Sequence, residues 1–420
     1  MPPSAPHPVL TSTRRSASMP AADVAWMLAA FAVVLIMFPG LSLFYGGMAG
    51  TKNALNMMMM CMSTLATVSV VYVLFGHGIV VGDSIGGIIG NPSGFWGFLG
   101  IYEDPGEPMV SDPFWFAFYI LFAAITVAIV ASAAVGRMKF SAWLVFSLVW
   151  VTLVYLPLGH WVFGGGWMRE HLDFHDYAGG TAVHMASGMG ALALAFVLGP
   201  RRNTQMRPHS LPLVLVGVAM LWMGWIGFNA GTAGGANFLA QYVTLTTLLA
   251  GSTGMIGFCL VERLRDGRAT TLGMCSGVIA GLVGITPAAD GVDALGAMAL
   301  GLAAGAVVAW ACTWKTKLGI DETLDAFAVH GIGGIVGSLC VVLFGYAGSP
   351  AGIEGILFGG DWSILLAEIA AIGATCGYAL VMTFVIAKVL DKLIGLRASD
   401  EDEYDGMDLS QHAETAYDAA

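Results

Sequence analysis

Two stretches of this 420-residue chain carry the side chains best suited to chemistry: Asp176-Tyr-Ala-Gly-Gly-Thr-Ala-Val-His184 and Asp325-Ala-Phe-Ala-Val-His330-Gly331. Each sets an Asp ahead of a Val-His pair, and each His lies inside an apolar run. An ionisable group in hydrocarbon is expensive, so it marks a functional site by default. An apolar surrounding disfavours the imidazolium, so both rings are expected to be neutral. A neutral pair can share one proton, one ring nitrogen donating and the other accepting. That chemistry suits a small, neutral, hydrogen-bonding solute or a proton relay. The alternative is two unrelated core histidines, each bonded to a backbone carbonyl. Two ligands are too few for a metal site and no HExxH-type spacing occurs. With no nucleophile–base pair and no cofactor motif either, an enzyme is not expected.

The carboxylates and aromatics extend the pattern. Asp176 precedes Gly179-Gly180 at a helix start, where it can cap free N–H groups and add negative potential to a vestibule. Asp325 reads likewise as a structural cap at the other end, within Asp321-Glu-Thr-Leu-Asp325. Phe118 and Phe122 share one helix face at i and i+4. Phe163 stands just before Gly164-Gly-Gly166, and Trp225 and Phe228 stand beside Thr232. Aromatic faces attract small cations by roughly 0.5–2 kcal/mol per contact. Singly, each of these rings reads as core or lipid-facing; their clustering at helix ends on one side gives them weight.

The elements that must position these residues are membrane helices. The chain is 57% hydrophobic and 11% charged, with 57 Gly. That is too little charge to cover a soluble surface, and the glycines fit closely packed membrane helices. Eleven apolar spans are expected near 24–47, 54–81, 113–135, 140–163, 177–198, 211–230, 236–261, 271–288, 292–312, 325–345 and 363–394. The Gly/Pro-rich segment 82–112 reads as a long loop with room for short helices. On this alternation one side holds 14 of the 17 Lys and Arg, from Lys52 through Arg137, Arg201 and Arg263 to Arg397. The other side holds Arg14, Arg15 and Arg169, with acidic loops carrying Asp83, Glu103, Asp104, Glu107, Asp112, Asp290, Asp293, Glu354 and Asp361. The positive-inside rule then places the N-terminus outside and the C-terminus in the cytoplasm of a cell membrane. Basic residues are too few and scattered for nucleic-acid binding.

The halves look related. Span 1 ends in Phe44-Tyr-Gly-Gly47 and span 6 in Phe228-Asn-Ala-Gly231, while spans 5 and 10 carry the Val-His pairs. Five spans per half makes the repeats inverted, a design of membrane transport proteins with a site near the midplane. His184 lies eight residues beyond Asp176, roughly 12 Å along a helix, and His330 lies ~8–16 Å from the opposite surface. Across a core about 30 Å thick the two rings can meet near the middle.

The six cysteines, Cys61, Cys259, Cys275, Cys312, Cys340 and Cys376, lie in or beside apolar runs and read as packing residues. Residues 1–22 form a polar extension; the apolar run after Arg14-Arg15 is too long for a signal-peptide core. Residues 398–420 read by composition as a disordered acidic tail.

Five motifs carry a resemblance over nearly the whole chain: Pro39-Gly-Leu-Ser-Leu-Phe-Tyr-Gly-Gly47, Asp176 to His184, Gly224-Trp-Ile-Gly-Phe-Asn-Ala-Gly231, Cys275-Ser-Gly-Val-Ile-Ala-Gly-Leu-Val-Gly-Ile-Thr-Pro287 and Asp325 to Gly331. With them the sequence resembles the Amt branch of the ammonium transporter/Rhesus family. The resemblance implies an all-α membrane domain over 23–395, made of two inverted five-helix repeats and a long C-terminal helix. It further implies a homotrimer with one pore per subunit. It places the ammonium-recruiting cage on Phe122, Phe163, Thr232 and Asp176, with Trp225 nearby, the stacked gate on Phe122 and Phe228, and the pore histidines on His184 and His330. Phe163 stands where that branch commonly has Trp, a better cation host, and Thr232 where it commonly has Ser. Residues 396–420, with Gly395-Leu-Arg397, Gly406-Met-Asp-Leu409 and His412 to Tyr417, correspond to a cytoplasmic regulatory tail. In relatives that tail meets neighbouring subunits, and a PII-type regulator closes the pore exit. An ammonium sensor, and a transporter of another small amine or a neutral gas, are the other classes in view.

Overall fold

The computed structural model describes residues 21–98, 112–202 and 207–417. The N-terminal extension as far as residue 20, the loop stretch 99–111 with Glu103, Asp104 and Glu107, and the last three tail residues lie outside the described residues. Eleven apolar helical stretches follow one another: α1 (Ala21–Met48), α2 (Thr51–Val81), α3 (Pro113–Ala133), α4 (Phe140–His171), α5 (Gly180–Leu198), α6 (Leu211–Thr232), α7 (Phe238–Asp266), α8 (Thr271–Ile285), α9 (Ala294–Ala311), α10 (Phe327–Phe344) and α11 (Ser363–Ile394). Among the described residues, ten are long and apolar enough to cross a membrane; α8 is shorter, and residues 286–291 continue it as turns. The expected spans match these stretches to within a few residues, except that α4 runs on past its break at Gly164–Gly166 to His171.

Local chemistry sets the boundaries. Asn237, Thr270 and Asp293 each accept a backbone N–H three residues on and so start α7, α8 and α9. Pro39 lacks an N–H and crowds the preceding turn, and α1 breaks its regular pattern at Ile36. α5 is the most enclosed span and α11 the least. Leu28, Val70, Ile256, Leu366 and Val381 project apolar side chains from the outer surface, which suits a hydrocarbon solvent. All six cysteines are free, and Cys61, Cys275 and Cys340 are buried.

Two features depart from the sequence expectations. The segment after α2 contains a small antiparallel hairpin, β1 (Ser84–Ile85) with β2 (Ile89–Gly90). The tail is ordered: α12 (Asp400–Asp405) and α13 (Met407–His412) fold onto the loops that follow α1, α3 and α5. Ser399 and Asp402 form a capping box for α12. Arg397 binds Glu403 at 2.5 Å and the Leu198 carbonyl at 2.8 Å. Asp408 accepts the Leu55 and Asn56 N–H groups at 3.1 and 2.8 Å, so a tail carboxylate caps α2. Acidic composition alone reads as disorder; here Asp400 meets the Arg202 guanidinium, Glu403 the Arg202 N–H and Asp408 the start of α2, partners that sequence distance hides.

Candidate functional site

The histidines meet because two glycine-dependent features bring α5 and α10 together. Gly179 has φ +106°, which only Gly adopts without strain, and it turns the chain into α5. Asp176 holds that turn: its carboxylate accepts the N–H groups of Gly179, Gly180 and Thr181 at 2.7–2.8 Å and the Thr181 hydroxyl. The segments Gly180–Met185 and Phe327–Ile332 are both π-helical, a widened turn that recurs at functional sites. One turn further on, an ideal Cβ on Gly188 would sit 2.2 Å from the Gly331 backbone nitrogen, so the helices cross at van der Waals distance. The result is a hydrogen bond of 3.2 Å between His184 Nδ1 and His330 Nδ1, with both rings buried. Which ring donates depends on tautomer.

The pair lies in a narrow cavity lined otherwise by apolar side chains, among them Leu41, Phe44, Ile129, Trp225 and Phe228. The cavity offers the centre of a water-sized molecule about 10 Å³, room for one at a time. His184 Nε2 has no protein partner among the described residues. Trp225 stacks on His184 at 5.1 Å and 21°, and its Nε1–H donates to Thr286 Oγ1 at 2.8 Å. Trp225, expected beside the cation cage, lines the histidine cavity and also stands 6.1 Å from Phe228. Thr286, which fixes the indole, has no signal in the sequence beyond its place in the Cys275–Pro287 motif.

Above that cavity, Phe122 and Phe228 stack face to face at 3.8 Å and 16°. Phe228 also lines that cavity, and Phe118 supports Phe122 at 5.2 Å. Thr232, one turn beyond Phe228, donates its hydroxyl to the Phe228 carbonyl at 2.9 Å. Its proton is thereby committed, and its oxygen lone pairs remain for an N–H donor. Phe163 leans over the Gly179 turn, its Cζ 3.6 Å from where a Gly179 Cβ would lie.

At the tail-side end, Asp325 is not the expected cap. It adopts φ +61° and pairs with Lys315 at 2.5 Å. Glu322 takes the capping part, accepting the Phe327 N–H at 3.2 Å. The spacing explains why: Glu322 precedes His330 by eight residues, as Asp176 precedes His184, whereas Asp325 precedes it by five. Asp321 anchors the same stretch to Arg137 at 3.2 Å and to Arg201 at 2.6 Å.

Behind the Asp176 turn lies a group that the sequence reading missed. His175 donates its backbone N–H to Glu368 at 3.0 Å, and its Nε2 lies 2.8 Å from Asp290 Oδ1. Burial disfavours the His175 imidazolium, but the Asp290 charge and hydrogen bond, then the Glu368 and Asp176 charges, outweigh it and raise its pKa. Protonated His175 therefore stabilises the fold fully below about pH 6.5, and that contribution is lost as the pH rises through the raised value. Thermal midpoints of purified protein between about pH 6 and 9 are expected to fall with this component in the native chain and to lack it in His175→Gln. Identical profiles would rule this coupling out.

Eleven apolar helical stretches enclosing a buried, hydrogen-bonded histidine pair in a small apolar cavity are the architecture of a multi-span membrane transport protein. The chain matches the Ammonium Transporter Family over residues 25–417 and belongs to it. It is 54% identical over 411 residues to an ammonium transporter of Corynebacterium glutamicum, covering 95% of this chain and 90% of that one. The crystal structure of Saccharomyces cerevisiae Mep2 superimposes with TM-score 0.84 at 32% identity, covering 91% of this chain and 89% of that chain. A sensor Amt protein superimposes with TM-score 0.85 at 26% identity, covering 92% and 97%. In keeping with its family, the protein is a multi-span membrane transporter rather than an enzyme.

Proposed function

We propose that this protein takes up ammonium, recruiting NH4+ at the Asp176 mouth, removing a proton and passing NH3 through the histidine conduit into the cell. The observation that carries the reading is the 3.2 Å imidazole pair inside an otherwise apolar cavity one molecule wide. NH4+ and K+ are similar in size, so selection has to use hydrogen bonding and deprotonation. At the mouth, the rings of Phe122 and Phe163 offer π faces and Thr232 offers a lone pair. Asp176 already holds four donors of its own chain, so it acts through its field and by shaping the turn. Past the Phe122–Phe228 gate a charge would stand in apolar surroundings without solvation, which favours the neutral amine.

In this reading the tail side, rich in Lys and Arg, faces the cytoplasm and the N-terminus lies outside a lipid-embedded membrane domain of residues 23–395. The protein works as a homotrimer. Residues 396–420 form the regulatory segment, and a PII-type protein is the partner at that face. No cofactor, metal or nucleic acid enters the scheme.

The test is current in proteoliposomes on a solid-supported membrane after an ammonium jump, with and without a protonophore. A saturable transient specific for ammonium and absent for K+ means that the proton follows through the pair. A lumenal pH rise without current means that NH3 crosses and the proton stays outside. If correctly folded protein gives neither, the uptake reading fails and a sensor, in line with the likeness to a sensor Amt protein, takes its place.

A further inference from the structure

On the tail side of the histidine pair, a second small cavity holds an arrangement that uptake as described above does not use. Glu322 is only 2% exposed. Its Oε2 caps Phe327, while its Oε1 accepts no hydrogen bond among the described residues. Glu322 lines a small cavity together with Lys315, Asp325, Cys312, Phe327 and Leu192. Both histidine-bearing helices contribute walls: Leu192 lies eight residues past His184 on α5, and Phe327 three before His330 on α10. The cavity offers a water-sized centre about 10 Å³, space for a single occupant.

Charge decides what fits. Lys315 pairs with Asp325 at 2.5 Å. Glu322 and Asp325 share that one Lys315 ammonium group, so one buried negative charge remains, and Glu322, which lines the cavity, keeps Oε1 without a hydrogen-bond partner among the described residues, which is costly unless it is compensated. Burial and then the Asp325 charge raise the Glu322 carboxyl above its ordinary value, in keeping with that cost. A single monovalent cation of water's size restores neutrality. Mg2+ and Ca2+ need six or more oxygen ligands, which walls including Ala311, Leu318 and Ile320 do not supply, and no group of three or more His, Cys, Asp and Glu placed to hold a metal occurs among the described residues. Ammonium needs few, directional acceptors and tolerates an aromatic wall such as Phe327. The contrast with the other mouth points the same way. Asp176 spends both oxygens on its own backbone and Thr181; Glu322, at the same eight-residue spacing from its histidine, keeps one free.

We infer that this cavity is a second ammonium site, at the tail-side exit of the conduit, with Glu322 as its anionic acceptor. The identity of the cation rests on the uptake reading. The test uses full-length protein in proteoliposomes of sorted orientation, with ammonium chloride applied from one face at a time and the half-saturating concentration read from flux. Glu322→Gln is expected to raise that concentration at least ~10-fold from the tail side, the size of one lost charge-assisted hydrogen bond. From the Asp176 side it should change less than about twofold, a difference too small to count as a lost hydrogen bond. Lys315→Gln leaves two negative charges on the cavity and is expected to shift the tail-side value the opposite way, which covers the case in which Glu322→Gln fails to fold. Equal shifts from both faces, or none in either variant, overturn the inference while leaving uptake standing. Wild-type protein without flux from either face overturns the uptake reading and the inference with it.

Discussion

Removing either pore histidine is expected to cost about 100-fold or more in ammonium flux, the lower range of what a positioned proton donor or acceptor contributes. His184 and His330 share one hydrogen bond of 3.2 Å in a cavity with no other ionisable lining group. His184→Ala leaves His330 Nδ1 without its partner, and His330→Ala does the same to His184. Each single change should therefore destabilise the protein by about 1–3 kcal/mol, through a buried polar atom left unpaired. Because the two rings act as a unit, the double variant should lose little more flux than either single one. Methylammonium uptake and ammonium-evoked current in the single and double variants, with folding and membrane insertion checked for each, read this out. Unchanged uptake in His184→Ala/His330→Ala would sink the histidine mechanism; multiplicative losses would show two independent sites rather than one shared proton.

Much of the frame was legible because hydrophobic length is a local property. An apolar run of about 20 residues reports a span without reference to its neighbours, and so all eleven stretches, and the alternation of charged loops, could be read directly. The histidine pair was legible through matched motifs in the two halves, whereas the pairing of Phe122 with Phe228 came only from the resemblance to the family. What local pattern could not supply was pairing at long range. Trp225 sits near Phe228 in sequence, yet its ring turns down onto His184 because Thr286, on a different helix, takes its N–H. His175 looked like a loop residue until Asp290 and Glu368 converged on it from two other segments.

The two misread carboxylates teach a narrower lesson. Asp325 matches Asp176 by residue type and by the following Val-His, which points to it as the cap. Glu322 matched it by distance to the histidine, and distance along a helix is what fixes which backbone N–H groups a side chain can reach. The signal was therefore present, as an eight-residue interval repeated in both halves. The tail failed for the opposite reason. Acidic composition is a local property, whereas the second partner of Glu403, the Arg202 N–H, and the Asn56 N–H that Asp408 accepts lie about 200 and 350 residues away in the chain.

The second large effect concerns geometry rather than chemistry. At the crossing of α5 and α10 the two glycines are not equivalent. A Cβ on Gly188 would stand 2.2 Å from the Gly331 nitrogen and 2.5 Å from its Cα, both backbone atoms that cannot rotate away. A Cβ on Gly331 would meet nothing closer than 3.4 Å, an ordinary contact. Gly188→Ala must therefore push the helices apart by the order of 1 Å, since carbon atoms pack at about 3.5–4 Å, and overpacking of this kind costs about 1–3 kcal/mol. The functional loss should exceed the loss of stability, because 3.2 Å between the imidazoles leaves little slack before the hydrogen bond is broken. We expect Gly188→Ala to lose about 10-fold or more of its flux, in line with the cost of misplacing reacting groups by about 1 Å. Gly331→Ala should retain flux within about twofold, as ordinary van der Waals contact requires no displacement. Ammonium-evoked current normalised to folded protein, with thermal midpoints measured alongside, separates the two. Equal tolerance at both positions would mean that the helices do not cross as closely as this geometry requires. Equal loss would mean that the histidine spacing depends on something other than the Gly188 contact.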